Sequence, residues 1–91
     1  MADVRFSSAL KKVTGETTTQ VEAETVEEAI DRLTERYGDD FEERLMEDGE
    51  IQRFVNLYVN GEDVRHGEGL ETSIEDDDEI SILPAVSGGS T

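Results

Sequence analysis

The chain has no cysteine, no tryptophan, one proline, one histidine, three phenylalanines and two tyrosines in 91 residues. Without cysteine there is no disulfide, no thiolate metal ligand, no thiol nucleophile and no persulfide on the protein itself. His66 has no second His or Cys to help it hold a metal, and general-base work would need a nucleophile beside it, so it reads as a surface-loop residue. Long apolar runs are also missing. No stretch approaches the roughly 18 apolar residues of a membrane helix, and Met1-Ala2-Asp3-Val4-Arg5 lacks the apolar segment of a secretory signal. The expectation is a cytoplasmic chain.

Positive charge is the next scarcity. Eight Lys+Arg face 24 Asp+Glu, a formal net charge of −16, and Lys11 and Lys12 are the only lysines. A nucleic-acid binder needs cations facing phosphate, so this chain is not expected to bind one. An anionic membrane surface is excluded for the same reason. Such a short chain hides only about 60–65% of its unfolded surface, which builds one modest core and leaves little room for an enclosed catalytic cavity. A carrier, adaptor or subunit is expected rather than a self-sufficient enzyme. A folded domain this acidic suits a very salty cytoplasm, because the Debye length at molar salt is about 3 Å and self-repulsion is screened; the alternative is an ordinary acidic domain in ordinary salt.

What is present is well patterned. Val4 and Phe6 alternate with polar neighbours as a short strand, and Thr17 to Val21 is β-branched and reads as its hairpin partner. Ser8 to Gly15 reads as a connector anchored by Leu10 and Val13. Thr25 and Glu28 form a capping box, and Val26, Ala29, Ile30, Leu33 and Tyr37 lay an apolar stripe along the helix that follows. Gly38 supplies a left-handed stop. Asp40 then caps a short second helix in which Phe41 and Leu45 lie one turn apart.

Asp48-Gly49 is a turn. Val55, Leu57 and Val59 alternate with Phe54, Asn56 and Tyr58, and Asn60-Gly61 is a hairpin signal leading to a returning strand, Glu62-Asp63-Val64. Leu70 and Ile74 read as core plugs. Asp76-Asp77-Asp78 is a charged turn; it lacks the spaced ligands and central Gly of a calcium loop. Glu79 to Pro84 is the last strand, with Ile80 and Ile82 inward. One amphipathic helix and one mixed sheet of four to five strands make a two-layer α+β domain. A helix laid across such a curved sheet is the β-grasp arrangement. The expected division is a β-grasp domain over 1–86 and a flexible tail over 87–91.

Two stretches carry a resemblance: Arg53-Phe54-Val55-Asn56-Leu57-Tyr58-Val59-Asn60-Gly61-Glu62-Asp63-Val64-Arg65 and Asp78-Glu79-Ile80-Ser81-Ile82-Leu83-Pro84-Ala85-Val86-Ser87-Gly88-Gly89. The chain resembles the ubiquitin-like sulfur-carrier and small archaeal modifier family, and within it most of all the cysteine-biosynthesis carriers. The resemblance implies a protein that is itself no enzyme and binds no cofactor. An E1-like activating enzyme would use ATP to adenylate the terminal glycine. The result would be a thiocarboxylate for a sulfur-accepting biosynthetic enzyme, or an isopeptide to a target-protein lysine. Gly88 and Gly89 would be the activation site, with Phe54, Tyr58, Leu83, Pro84, Val86 and Ser87 docking on partners.

Family carriers end at the second glycine, whereas Ser90-Thr91 follow it here. A processing tail cut between Gly89 and Ser90, with a metalloprotease to trim or remove it, competes with a cloning remnant and with loss of carrier chemistry. Lys11 and Lys12 are candidate acceptors of another modifier molecule, against the simpler reading of two solvated lysines. A small subunit of a molybdopterin-synthase-like complex, and a β-grasp interaction module without carrier chemistry, are the alternative functions.

Overall fold

The computed structural model of the protein describes residues 1–84. Strand β1 (Ala2–Phe6) is followed by helix α1 (Ser8–Thr14), strand β2 (Thr18–Val21) and helices α2 (Val26–Tyr37) and α3 (Asp39–Leu45). A two-stranded ribbon of β3 (Met46–Glu47) and β4 (Glu50–Ile51) comes next. Strands β5 (Val55–Val59) and β6 (Glu62–Asp63), two short 3-10 turns and strand β7 (Glu79–Pro84) complete the order. The main sheet runs β2-β1-β7-β5-β6, with β1 and β7 parallel and the other pairs antiparallel. This is the expected mixed five-stranded sheet, and β7 lies at its centre.

Alternation along the strands decides which face is covered. Val4, Phe6, Val55, Leu57, Ile80 and Ile82 are buried on one face, where they meet Val26, Ala29, Ile30 and Leu33 of α2. Phe41 and Leu45 of α3 seal the same core, and Phe41 forms a three-ring cluster with Phe6 and Tyr37, the ring centroids 5.6 to 6.0 Å apart. No polar or charged residue is buried among the described residues. The acidic load is therefore carried on the surface, where salt can screen it.

Several local expectations are corrected. Ser8 to Gly15 is a helix, not a connector. The Ser7 hydroxyl accepts the Leu10 amide, and Gly15 closes α1 at φ 76°, its amide donating to the Lys11 carbonyl. Capping at both ends, together with burial of Leu10, sustains a helix too short to persist alone. Thr25 caps α2 as expected, accepting the Glu28 amide at 3.1 Å, but the Glu28 carboxylate reaches back to the amide of Glu24 rather than that of Thr25.

Gly38 does end α2, yet at φ 97° and ψ 179°, a region open essentially to glycine alone rather than the left-handed helical well. It also stands as the residue before α3, which has no side-chain cap. Asp40 therefore lies inside α3 and caps nothing; with Asp39 and Glu42 it places negative charge at the positive end of the helix dipole. Val64 is not strand but opens a 3-10 turn and is buried. The Asp48-Gly49 and Asn60-Gly61 turns both have two consecutive positive φ values, as the hairpin signals required.

Candidate functional site

The sheet face opposite α2 is uncovered, and the register assembles its outward side chains. Leu57 pairs with Ile82, Asn56 with Leu83 and Tyr58 with Ser81. Leu83 therefore stands beside Asn56, with Tyr58 one step along the strand and Phe54 just before it. Phe54 is 53% exposed and Leu83 41%; apart from Met1 they are the large exposed apolar side chains among the described residues. Tyr58 is only half-buried and faces Asp63 across the sheet. An exposed Phe–Leu pair on a bare sheet face is a small apolar patch with a phenol at its margin.

The strand register also fixes where the last described strand ends. Val55 pairs with Pro84, so the last described residue of β7 lies at the end of the sheet where β5 starts, beside the patch. Val86, Ser87, Gly88, Gly89 and Ser90 lie outside the described residues, as does the side chain of Pro84 and the expected boundary at residue 86. Lys11 and Lys12 are both exposed in the last turn of α1. They belong to the layer of helices and not to the patch. His66 is exposed in the 3-10 turn after β6.

Sequence reasoning overlooked the residue that organises this end of the sheet. Gln52 donates its side-chain amide to the carbonyls of Glu43 and Met46 at 2.7 and 3.2 Å, and its backbone amide to the carbonyl of Leu45. Its own carbonyl accepts the Val55 amide and the Arg65 guanidinium. One polar residue thus ties the end of α3, the start of β5 and the turn after β6. Nothing in the sequence marks Gln52, because its partners are backbone groups brought close only by folding.

The opposite end of the sheet is acidic. Asp78 accepts the Asn60 side-chain amide at 2.9 Å and the Glu75 amide at 2.8 Å; these bonds, the Asn60 one foremost, hold its carboxyl below the ordinary value. The Met1 ammonium is bonded to Asp76 at 3.0 Å, and that hydrogen bond raises its pKa. Among the described residues, no group of three or more His, Cys, Asp or Glu is placed to hold a metal ion. No described helix is long and apolar enough to cross a membrane.

A mixed sheet of this order, crossed by one main helix and closed by a central last strand that leads in sequence to Gly-Gly, defines a ubiquitin-like β-grasp protein. The ThiS family matches residues 4–89, and the chain belongs to that family. The sulfur carrier protein CysO of Mycobacterium bovis is 44% identical over 78 residues, 82% of this chain and 83% of that one. Small archaeal modifier protein 3 of Haloferax volcanii is 33% identical over 90 residues, 96% and 97% of the two chains. A chain in the crystal structure of the Amycolatopsis orientalis BexX/CysO complex superposes with a TM-score of 0.90 at 39% identity, covering 98% of this chain and all of that one. The protein stands among the sulfur carriers and small archaeal modifiers.

Proposed function

We infer that this protein carries sulfur on the carboxyl of Gly89 after activation by an adenylating enzyme. The observation that carries the reading is the family match, which ends at Gly89 and not at the last residue. The carboxylate oxygen of Gly89 attacks the α-phosphorus of ATP, pyrophosphate leaves, and an acyl-adenylate forms. The terminal sulfur of a persulfide then attacks the acyl carbon and AMP leaves. A thiol cleaves the resulting acyl disulfide to give the thiocarboxylate and a new disulfide. Both persulfide and thiol come from partners, since this chain has no cysteine.

Glycine at both positions suits a backbone threaded through a narrow channel, where a Cβ would collide with the walls. The chemistry requires a free Gly89 carboxyl, so a chain continuing into Ser90 is cut first, the work of a metalloprotease or another peptidase. The patch of Phe54, Tyr58 and Leu83 docks on the activating enzyme, as Pro84, Val86 and Ser87 lead the tail inward. BexX in the Amycolatopsis complex is a precedent for a folded partner on such a carrier.

Conjugation to lysine is the second reading, favoured by the near full-length match to a protein named as a modifier. The acidic surface suits a saline cytoplasm in either case. Intact mass of the protein isolated from its own cells tests the reading. A chain ending at Gly89 with sulfur in place of one carboxyl oxygen, about 16 Da heavier than the carboxylate, is expected. A population consisting only of chains ending at Thr91 overturns it.

A further inference from the structure

Strand β2 is an edge of the main sheet, and its register fixes what that edge offers. Ala2 pairs with Val21, Val4 with Thr19 and Arg5 with Thr18, and the Phe6 amide donates to the Thr17 carbonyl at 2.9 Å. Backbone groups alternate in direction along an antiparallel ladder, so those of Thr17, Thr19 and Val21 turn toward β1. The N–H and C=O of Thr18 and Gln20 therefore turn outward, and among the described residues no strand lies beyond them. Such a row of free backbone groups on a β-branched strand is a template for another strand. Residues 17–21 contain no lysine and no proline, two residues that commonly blunt an edge. One outward group is nevertheless occupied. The guanidinium of Arg36, in the last turn of α2, donates to the Gln20 carbonyl at 3.0 Å and to the Thr19 hydroxyl at 2.6 Å.

We propose that the β2 edge is a pairing surface for a second copy of this chain, and that Arg36 holds it shut. The edge is complementary to itself. An antiparallel copy engages every outward group of Thr18 and Gln20 when Thr18 of each copy lies opposite Gln20 of the other, with Thr19 on the two-fold axis. In that register the Thr18 N–H of one copy donates to the Gln20 carbonyl of the other, the atom that Arg36 already bonds. Glu16 meets Glu22 of the other copy at both ends, and like charges directly opposite each other repel. That repulsion protects the edge at low salt. At molar salt the Debye length is about 3 Å, shorter than the spacing of about 5 Å between paired strands, so charge protects little. A charge-assisted hydrogen bond acts at contact and survives. Arg36 thus guards the edge under the conditions in which the acidic surface does not.

Sedimentation equilibrium of the full chain, at low and at molar potassium chloride, tests this. The unaltered chain is expected to keep its monomer mass of 10.1 kDa in both. Arg36→Ala is expected to approach twice that mass at molar salt and to stay monomeric at low salt. The direction discriminates, because removing a cation from a chain of net charge −16 strengthens repulsion between copies and by charge alone would oppose association. Arg36 is exposed and alanine favours a helix, so the variant is expected to fold, with an unchanged circular dichroism spectrum. Thr18→Pro removes the outward N–H that the other copy's Gln20 carbonyl would accept, at an edge position that proline tolerates. Arg36→Ala/Thr18→Pro is therefore expected to return to the monomer mass. Hydrogen exchange at the Thr18 and Gln20 amides is expected to slow in the Arg36→Ala dimer. A folded Arg36→Ala variant that stays monomeric at molar salt across a wide concentration series overturns the proposal. A dimer that persists with Thr18→Pro also overturns it, by placing the contact elsewhere. An unaltered chain that is already dimeric does so too, by showing that Arg36 closes nothing.

Discussion

Leu83 stands opposite Asn56 across the β5–β7 ladder, two residues from Ser81, which stands opposite Tyr58. This register puts Leu83 and Tyr58 on the same uncovered face, within the diagonal reach of large side chains. Their environments differ, because Tyr58 is half-buried and faces Asp63 while Leu83 is exposed. Charge at position 58 would set two carboxylates opposite each other and destabilise the strand pair. Charge at position 83 meets water in the free protein. Leu83→Asp is therefore expected to fold normally by circular dichroism and to lose about tenfold or more in affinity for the activating enzyme, since a buried unpaired carboxylate is costly. Full affinity in a folded Leu83→Asp variant would remove Leu83 from the docking surface.

Adenylation depends on which residue ends the chain. A protein ending at Gly89 is expected to support ATP–pyrophosphate exchange with its cognate enzyme, and the chain ending at Thr91 to be inert. The Thr91 carboxylate sits two residues farther on and bears a β-branched side chain. Gly89→Val in the shortened chain is expected to abolish exchange without unfolding the domain. Equal exchange by the two chain lengths would show that Ser90-Thr91 is no block.

Salt is expected to raise the thermal midpoint. All charges of the described residues lie at the surface around a wholly apolar core, so repulsion among carboxylates acts through solvent and is screened by ions. Calorimetric scans from low to molar potassium chloride measure this. A midpoint that stays constant across the range would contradict adaptation to a saline interior.

Asp78 links stability to pH. Its bonds to the Asn60 amide and the Glu75 N–H lower its pKa in the folded protein. A carboxyl depressed on folding contributes stability above its unfolded pKa and loses it as pH falls through the folded value. Asp78→Ala is thus expected to be less stable than the unaltered chain at neutral pH, with the gap closing through the acid range. Urea titrations of both at fixed salt, compared pairwise, isolate this group from the general relief of repulsion. A gap that does not vary with pH would mean that Asp78 matters only through its neutral hydrogen-bonding shape.

Phe41 is the test of the core. It is fully buried, against the rings of both Phe6 and Tyr37. Phe41→Ala is expected to cost about 3–5 kcal/mol, a large part of the roughly 5–15 kcal/mol that holds a domain together. A loss near 1 kcal/mol in urea titration at molar salt would mean that α3 packs loosely.

Periodicity alone determined much of this protein. The stripe from Val26 to Tyr37 specified α2 and its buried face, and the alternation through Val55, Leu57 and Val59, and through Ile80 and Ile82, set which side of the sheet meets it. Asn60-Gly61 specified its turn because consecutive positive φ values favour those residues. The exposed pair Phe54 and Leu83 was legible too, as residues out of phase with the core. Tertiary structure decided the rest. Helix α1 has two apolar anchors and little periodicity of its own, so its existence depends on the pocket that takes Leu10. The start of α3 was set by Gly38, whose backbone region glycine tolerates, rather than by the capping potential of Asp40. The meeting of Arg65 with Gln52 joins segments with no local pattern in common. Local sequence encodes which face a residue occupies, but contacts between distant segments are fixed only when the core closes.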